Sequence, residues 1–158
     1  MWSNDIPAVY RGMGANILAL NMDTFIMNVV TFSGYYPKAV LFETHQSGAK
    51  MIKEYQSYVI LDKLERGILG VEIGIMYRFK DNVRIYKIIN DTIFTIGPNT
   101  EMNDSFVFKL GKYKPTLSFI ERKEDNIRDA YKKYIIPKSI YESINHLFIK
   151  FDFGNYAP

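Results

Sequence analysis

Between Val71 and Lys80 the chain alternates: Val71, Ile73, Ile75, Tyr77 and Phe79 fall on one side, Glu72, Gly74, Met76, Arg78 and Lys80 on the other. A period of two held over that length predicts a strand with one face toward a core. Asp81-Asn82 then interrupts the pattern, and both residues tolerate positive φ, so a two-residue hairpin turn is expected there. With Asp81 and Asn82 as the loop, Lys80 faces Val83, Arg78 faces Ile85, Tyr77 faces Tyr86 and Ile75 faces Ile88. One face of this hairpin is aromatic and aliphatic. The other carries Glu72, Arg78, Lys80 and Lys87 among Met76, Val83 and Ile85, which reads as partly covered. Asn90-Asp91 supplies a second turn, and Thr92 to Ile96 a third strand stopped by Gly97-Pro98. The expected unit is a three-stranded β-meander over about residues 71–96.

Elsewhere the periodicity shifts toward 3.6. Asn16 is placed to cap a helix on which Leu18, Met22, Phe25 and Val29 share a face, closed by Ser33-Gly34, although Thr24 to Phe32 also alternates as a strand. Tyr35-Tyr36-Pro37 reads as a turn, Ala39 to Glu43 as a short strand and His45 to Gly48 as a loop. From Ala49 to Arg66, Ile52, Tyr55 and Val59 share a helical face, Asp62 and Arg66 form an i,i+4 pair and Gly67 sits at a C-cap position, which favours a helix over the strand propensity of Tyr58 to Leu61. Ser105 to Leu110 and Thr116 to Glu121 read as strands. Asp125 is a cap for a helix through Ile136. Ser139 with Glu142 three residues on forms a capping-box pattern for another, and Leu147 to Phe153 alternates as a closing strand.

The resulting expectation is an α+β domain: a mostly antiparallel sheet built on the meander, faced by two or three packed helices. Residues 1–15, with Pro7, Gly12 and Gly14, read as a flexible N-terminal arm, residues 16–153 as one domain and 154–158 as a tail. No repeat or low-complexity tract interrupts this order.

Composition narrows the function classes. With 47% hydrophobic and 15% aromatic residues, a packed core is affordable and wholesale disorder is excluded. The net charge of +3 is mild, and residues 1–79 hold seven Lys/Arg against seven Asp/Glu while 80–158 hold thirteen against ten. That excess is interspersed with acids, the pattern of a solvated mixed-charge surface. There is no cysteine, so disulfides, thiolate metal sites and a cysteine nucleophile are excluded. The N-terminal sequence lacks a basic segment followed by a cleavable apolar one, and Asn21, Asp23, Thr24 and Asn28 break the most apolar run, so the expectation is a soluble protein, intracellular or virion-associated, with no membrane span.

Motifs for catalysis are sparse. His45 lies beside Thr44, Gln46 and Ser47, but no Gly-x-Ser-x-Gly elbow or nearby acid completes a triad. His146, expected at a helix end, belongs to no metal-ligand spacing. Gly12-Met13-Gly14 lacks the third glycine and flanking strand of a dinucleotide loop, and no P-loop occurs. Glu121, Glu124 and Asp125 stand among Arg122, Lys123 and Arg128, a charge-compensated helix start. No cofactor is expected, and no enzyme. The sequence favours instead a structural or assembly subunit of a larger complex, a viral or phage particle being one such assembly. It would contact other protein subunits in a homo- or hetero-oligomer through Trp2, Tyr10 and Tyr156 in the arm and tail. Two alternatives stand beside it: a nucleic-acid-binding module using Lys109, Lys112, Tyr113 and Lys114, where cations surround a stackable ring, and an enzyme of unfamiliar type with His45 as base.

Overall fold

The computed structural model describes residues 16–28, 34–35, 39–56, 60–61, 74–88, 90–120, 129 and 131–153. These form antiparallel sheet almost throughout, which overturns the α+β expectation of two or three packed helices. Among the described residues, helical backbone is confined to a 3₁₀ turn at Gly111–Tyr113, a short helix α1 at Leu117–Ile120, and Asp129 and Tyr131. The arm and the tail, with Trp2, Tyr10 and Tyr156, lie outside the described residues.

The first sheet is built from β1 (Asn16–Ala19), β2 (Thr24–Asn28), β4 (Ala39–His45) and β5 (Gly48–Tyr55), neighbours in that order. A turn replaces the helix expected from residue 17 because Asn21 competes for the backbone: its side-chain oxygen accepts from the N–H of Asp23 and of Thr24, both at 2.9 Å. Met22, assigned to the inner face of that helix, is 98% exposed at the tip of this turn. Across the strands Phe25 stacks on Phe42 with ring centroids 5.1 Å apart, and the sheet has two apolar faces, Phe25, Met27, Val40 and Phe42 on one and Ile26, Ala39 and Leu41 on the other. The helix expected from Ala49 is likewise a strand over Gly48–Tyr55, its register shifted by a bulge opposite Leu41 and Phe42. Two short segments, β3 (Gly34–Tyr35) and β6 (Ile60–Leu61), pair with each other.

The meander forms as expected and gains a strand: β7 (Ile75–Phe79), β8 (Asn82–Tyr86), β9 (Thr92–Ile96) and β10 (Met102–Val107) lie side by side in chain order. The first turn falls one residue earlier than the sequence predicts. Phe79 pairs with Asn82, so Lys80 and Asp81 form the loop, and Lys80 takes φ +54°, the positive value that the first position of a type II′ hairpin turn requires. The register moves by two residues, which leaves every side chain on its expected face. At the start of β7, Gly74 has φ +69°, and a Cβ there would stand 2.3 Å from the carbonyl oxygen of Tyr86.

Both faces of this second sheet are covered. Val83, Ile85 and Ile96 pack against Leu20, Ile26, Ala39, Leu41 and Tyr55 of the first sheet. Tyr86 and Ile93, on the opposite face, pack against Ile140 of a last hairpin, β11 (Ile136–Glu142) with β12 (Leu147–Asp152). That hairpin replaces the helix expected from Ser139 and truncates the one expected through Ile136. Around Ser105 a bulge in β10 turns Phe106 onto the hairpin side. Thr116, expected to begin a strand, instead caps α1: its hydroxyl accepts from the Phe119 N–H at 3.1 Å. Polar ties fasten the layers, with Arg78 donating to the Leu20 carbonyl at 2.9 Å and the Tyr55 hydroxyl to the Thr100 carbonyl at 2.7 Å.

Gly74→Ala adds a methyl group where backbone already stands and forces an L-residue to a positive φ. A loss of about 2 kcal/mol or more is expected, read as a lower urea midpoint with an unchanged denaturant slope.

Candidate interaction surface

The β11–β12 hairpin has an inner and an outer face, and its chemistry differs sharply between them. Ile140, Leu147 and Ile149 point inward with Glu142, because Ile140 pairs with Ile149 and Glu142 with Leu147. Glu142 meets Arg84 of β8, which projects from the same side of the central sheet as Tyr86. Arg84 Nε donates to Glu142 Oε2 and Nη2 to Oε1, both at 2.9 Å, a bidentate ion pair whose side chains are 13% and 6% exposed. The Tyr77 hydroxyl donates to the same carboxylate at 3.0 Å. The remaining arm of the guanidinium donates to the Ser105 hydroxyl at 2.6 Å and to that of Thr95. Phe79 and Phe106 flank the guanidinium at 5.6 and 5.7 Å from their ring centroids. Every charged atom has a partner, so this is a latch that fixes the hairpin on the sheet. Burial, and then the Glu142 carboxylate, hold the Tyr77 phenol protonated well above its usual range.

The outer face carries no such compensation. Tyr141 and Phe148 form a cross-strand pair there, and Ile144 occupies the turn between the strands. They are 67%, 59% and 80% exposed. The turn is rigid: the Ser143 N–H donates to the His146 carbonyl at 2.8 Å and the His146 N–H to the Ser143 hydroxyl at 3.0 Å. His146, expected at a helix end, stacks on Phe148 at 5.9 Å.

The basic-aromatic cluster is divided among different tasks. Lys112 lies over the Tyr113 ring at 5.2 Å, while that ring meets Phe153 edge-on at 5.4 Å. Lys114 is tied to Asp91 at 3.2 Å, and Lys109 lines an apolar groove. His45 stands at the end of β4, its Nε2 3.2 Å from Glu43, with both side chains largely in solvent. Glu121, Glu124 and Asp125 fall outside the described residues. Among the described residues no cluster of three or more His, Asp or Glu is placed to hold a metal, and no helix is long and apolar enough to cross a membrane.

Lys87 follows β8 with its side chain fully buried, and burial lowers its ammonium to about 7. The Tyr86 hydroxyl is also buried, without a hydrogen-bond partner among the described residues.

Sequence reasoning placed Arg84 on a candidate basic sheet face and Glu142 in a helix cap rather than pairing them, and singled out neither Tyr141 nor Phe148. The available signal was the alternation of Leu147 to Phe153, which calls for a partner strand, and Ile140-Tyr141 is β-prone sequence close by. Comparison with protein-family models, with curated proteins and with solved structures finds no match for this chain.

Glu142→Ala leaves a buried guanidinium uncompensated and is expected to cost about 3 kcal/mol, whereas the double substitution Arg84→Met with Glu142→Leu is expected to lose much less; urea unfolding of the two variants beside the parent decides. For Lys87 the sign follows from its lowered value: between about 7 and its ordinary 10.5 the unfolded chain binds more protons, so stability rises with pH over that range. Above 10 the buried phenols, Tyr55 among them with its value pushed up to about 12 by burial and then Glu101, reverse the trend. Unfolding between about pH 7 and 10 is therefore expected to show a positive slope that Lys87→Met flattens.

Proposed function

We propose that this chain is a non-enzymatic assembly subunit that works by contact with other protein subunits, and that the outer face of the β11–β12 hairpin is its contact surface. What carries the reading is the exposure of Tyr141, Ile144 and Phe148 on one side of a ribbon whose other side is pinned by the Arg84–Glu142 pair. Two aromatic residues and an aliphatic one, adjacent and held in one geometry, bind at little entropic cost because the surface is ordered beforehand. Aromatic side chains supply much of the energy at protein contacts for the same reason. The 67% exposure of Tyr141 leaves its ring free to bury area against a partner while its hydroxyl finds an acceptor there.

Sedimentation velocity across a wide concentration range tests the proposal. Mass is expected to rise with concentration, and Tyr141→Ser with Phe148→Ser to return the chain to a monomer while leaving its unfolding midpoint within about 0.5 kcal/mol of the parent, since both positions are at the surface. A chain that stays monomeric throughout, or whose association ignores the double substitution, refutes it.

A further inference from the structure

A second apolar feature lies on a different side of the hairpin from Tyr141 and Phe148. Where β10 runs out, Val107, Phe108 and Leu110 form one wall of an open groove of about 470 Å³, and Ile135, Ile149 and Phe151 form the other. That volume is within the range of small-molecule sites, about 300–1,000 Å³, which are typically apolar with a few placed polar groups. The walls are fixed by the fold. Phe108 rests on Tyr86 with ring centroids 5.6 Å apart, and Ile149 belongs to the cluster around Ile140. Backbone bonds hold the rims: the Leu110 N–H donates to the Phe108 carbonyl at 3.0 Å and the Ile135 N–H to the Tyr113 carbonyl at 2.9 Å.

Charge at the groove has one sign. Lys109 is among its lining residues, and none of the described lining residues is acidic. The nearby lysines differ: Lys114 is neutralised by Asp91 at 3.2 Å and Lys138 by Asp152 at 3.3 Å. Among the described residues Lys109 has no such partner, and Lys112, three residues on at the 3₁₀ turn, is a second exposed cation. A preformed apolar trough with a lysine in its lining fits a molecule with an apolar body and an anionic head. A neutral or cationic apolar ligand would leave Lys109 unanswered.

We propose that this groove binds an anionic amphiphile, a long-chain carboxylate, with its aliphatic body between Phe108 and Ile149 and its head at Lys109. The site is separate from the subunit contact and stands or falls independently of it.

Calorimetric titration of the full chain with dodecanoate, below its micelle concentration, tests this, with dodecyltrimethylammonium as the oppositely charged probe. Dodecanoate is expected to bind at one site per chain and the cationic probe at least about tenfold more weakly. Lys109→Glu weakens dodecanoate by about tenfold, Lys109→Arg keeps it, and Lys50→Glu, the same charge change on β5, leaves it unaltered. Val107→Trp, on the exposed rim where folding tolerates it, abolishes binding by filling the groove. Equal binding of the two probes, or equal losses from Lys109→Glu and Lys50→Glu, overturns the proposal. So does absence of dodecanoate binding together with self-association that Val107→Trp removes, which would give the groove to a second copy of the chain. The Tyr141 and Phe148 double substitution, which tests the contact surface, is expected to leave dodecanoate binding intact.

Discussion

Over β8 and β9 the central sheet is packed on both faces, and much of the structure follows from that constraint. Val83, Ile85 and Ile96 face one core while Tyr86 and Ile93 face another, so consecutive residues along β8 and β9 must all be acceptable to an interior. A charged residue on such a sheet needs a partner or pays in pKa. Arg84 receives a carboxylate from β11, and Arg78 reaches a main-chain carbonyl of the first sheet. Lys87 is fully buried, and burial loosens its hold on a proton. Each solution joins the central sheet to a neighbouring layer or marks where a layer closes over it.

This also explains how far the sequence could be read. The meander was legible because its alternation is long and its turns are marked by Asp, Asn and Gly-Pro. The turn itself slipped by one residue, since Lys80 carries no sequence signature for the positive φ it adopts. The helical expectations failed for a physical reason: a sheet with two apolar faces does not alternate cleanly, and apolar residues on both sides produce coincidental three- and four-residue spacings. Leu18, Met22 and Phe25 were such a set, and Asn21 overrode them by turning the backbone. Ser139 and Glu142 matched a capping box by coincidence of polar spacing. The glutamate that looked like a helix cap serves a guanidinium 58 residues away in sequence, a distance over which no local pattern reports. The candidate surface was hidden for the same reason, because the outward direction of Tyr141 and Phe148 is known only once Glu142 is known to point inward.

The two apolar surfaces differ in kind. Tyr141, Ile144 and Phe148 are exposed on the outer side and turn of the hairpin. The groove beside β10 is an open trough with Lys109 among its lining residues. Of the three lysines in the segment 109–114, Lys114 is already neutralised by Asp91 and Lys112 lies over the Tyr113 ring.

A two-stranded ribbon has little stability of its own in water, and here its attachment is concentrated in one inward-facing glutamate and the three aliphatic side chains around it. The solvent side contributes almost nothing to keeping the molecule intact. Substitutions there are thus free to accumulate without unfolding the chain, while the inward residues stay under constraint.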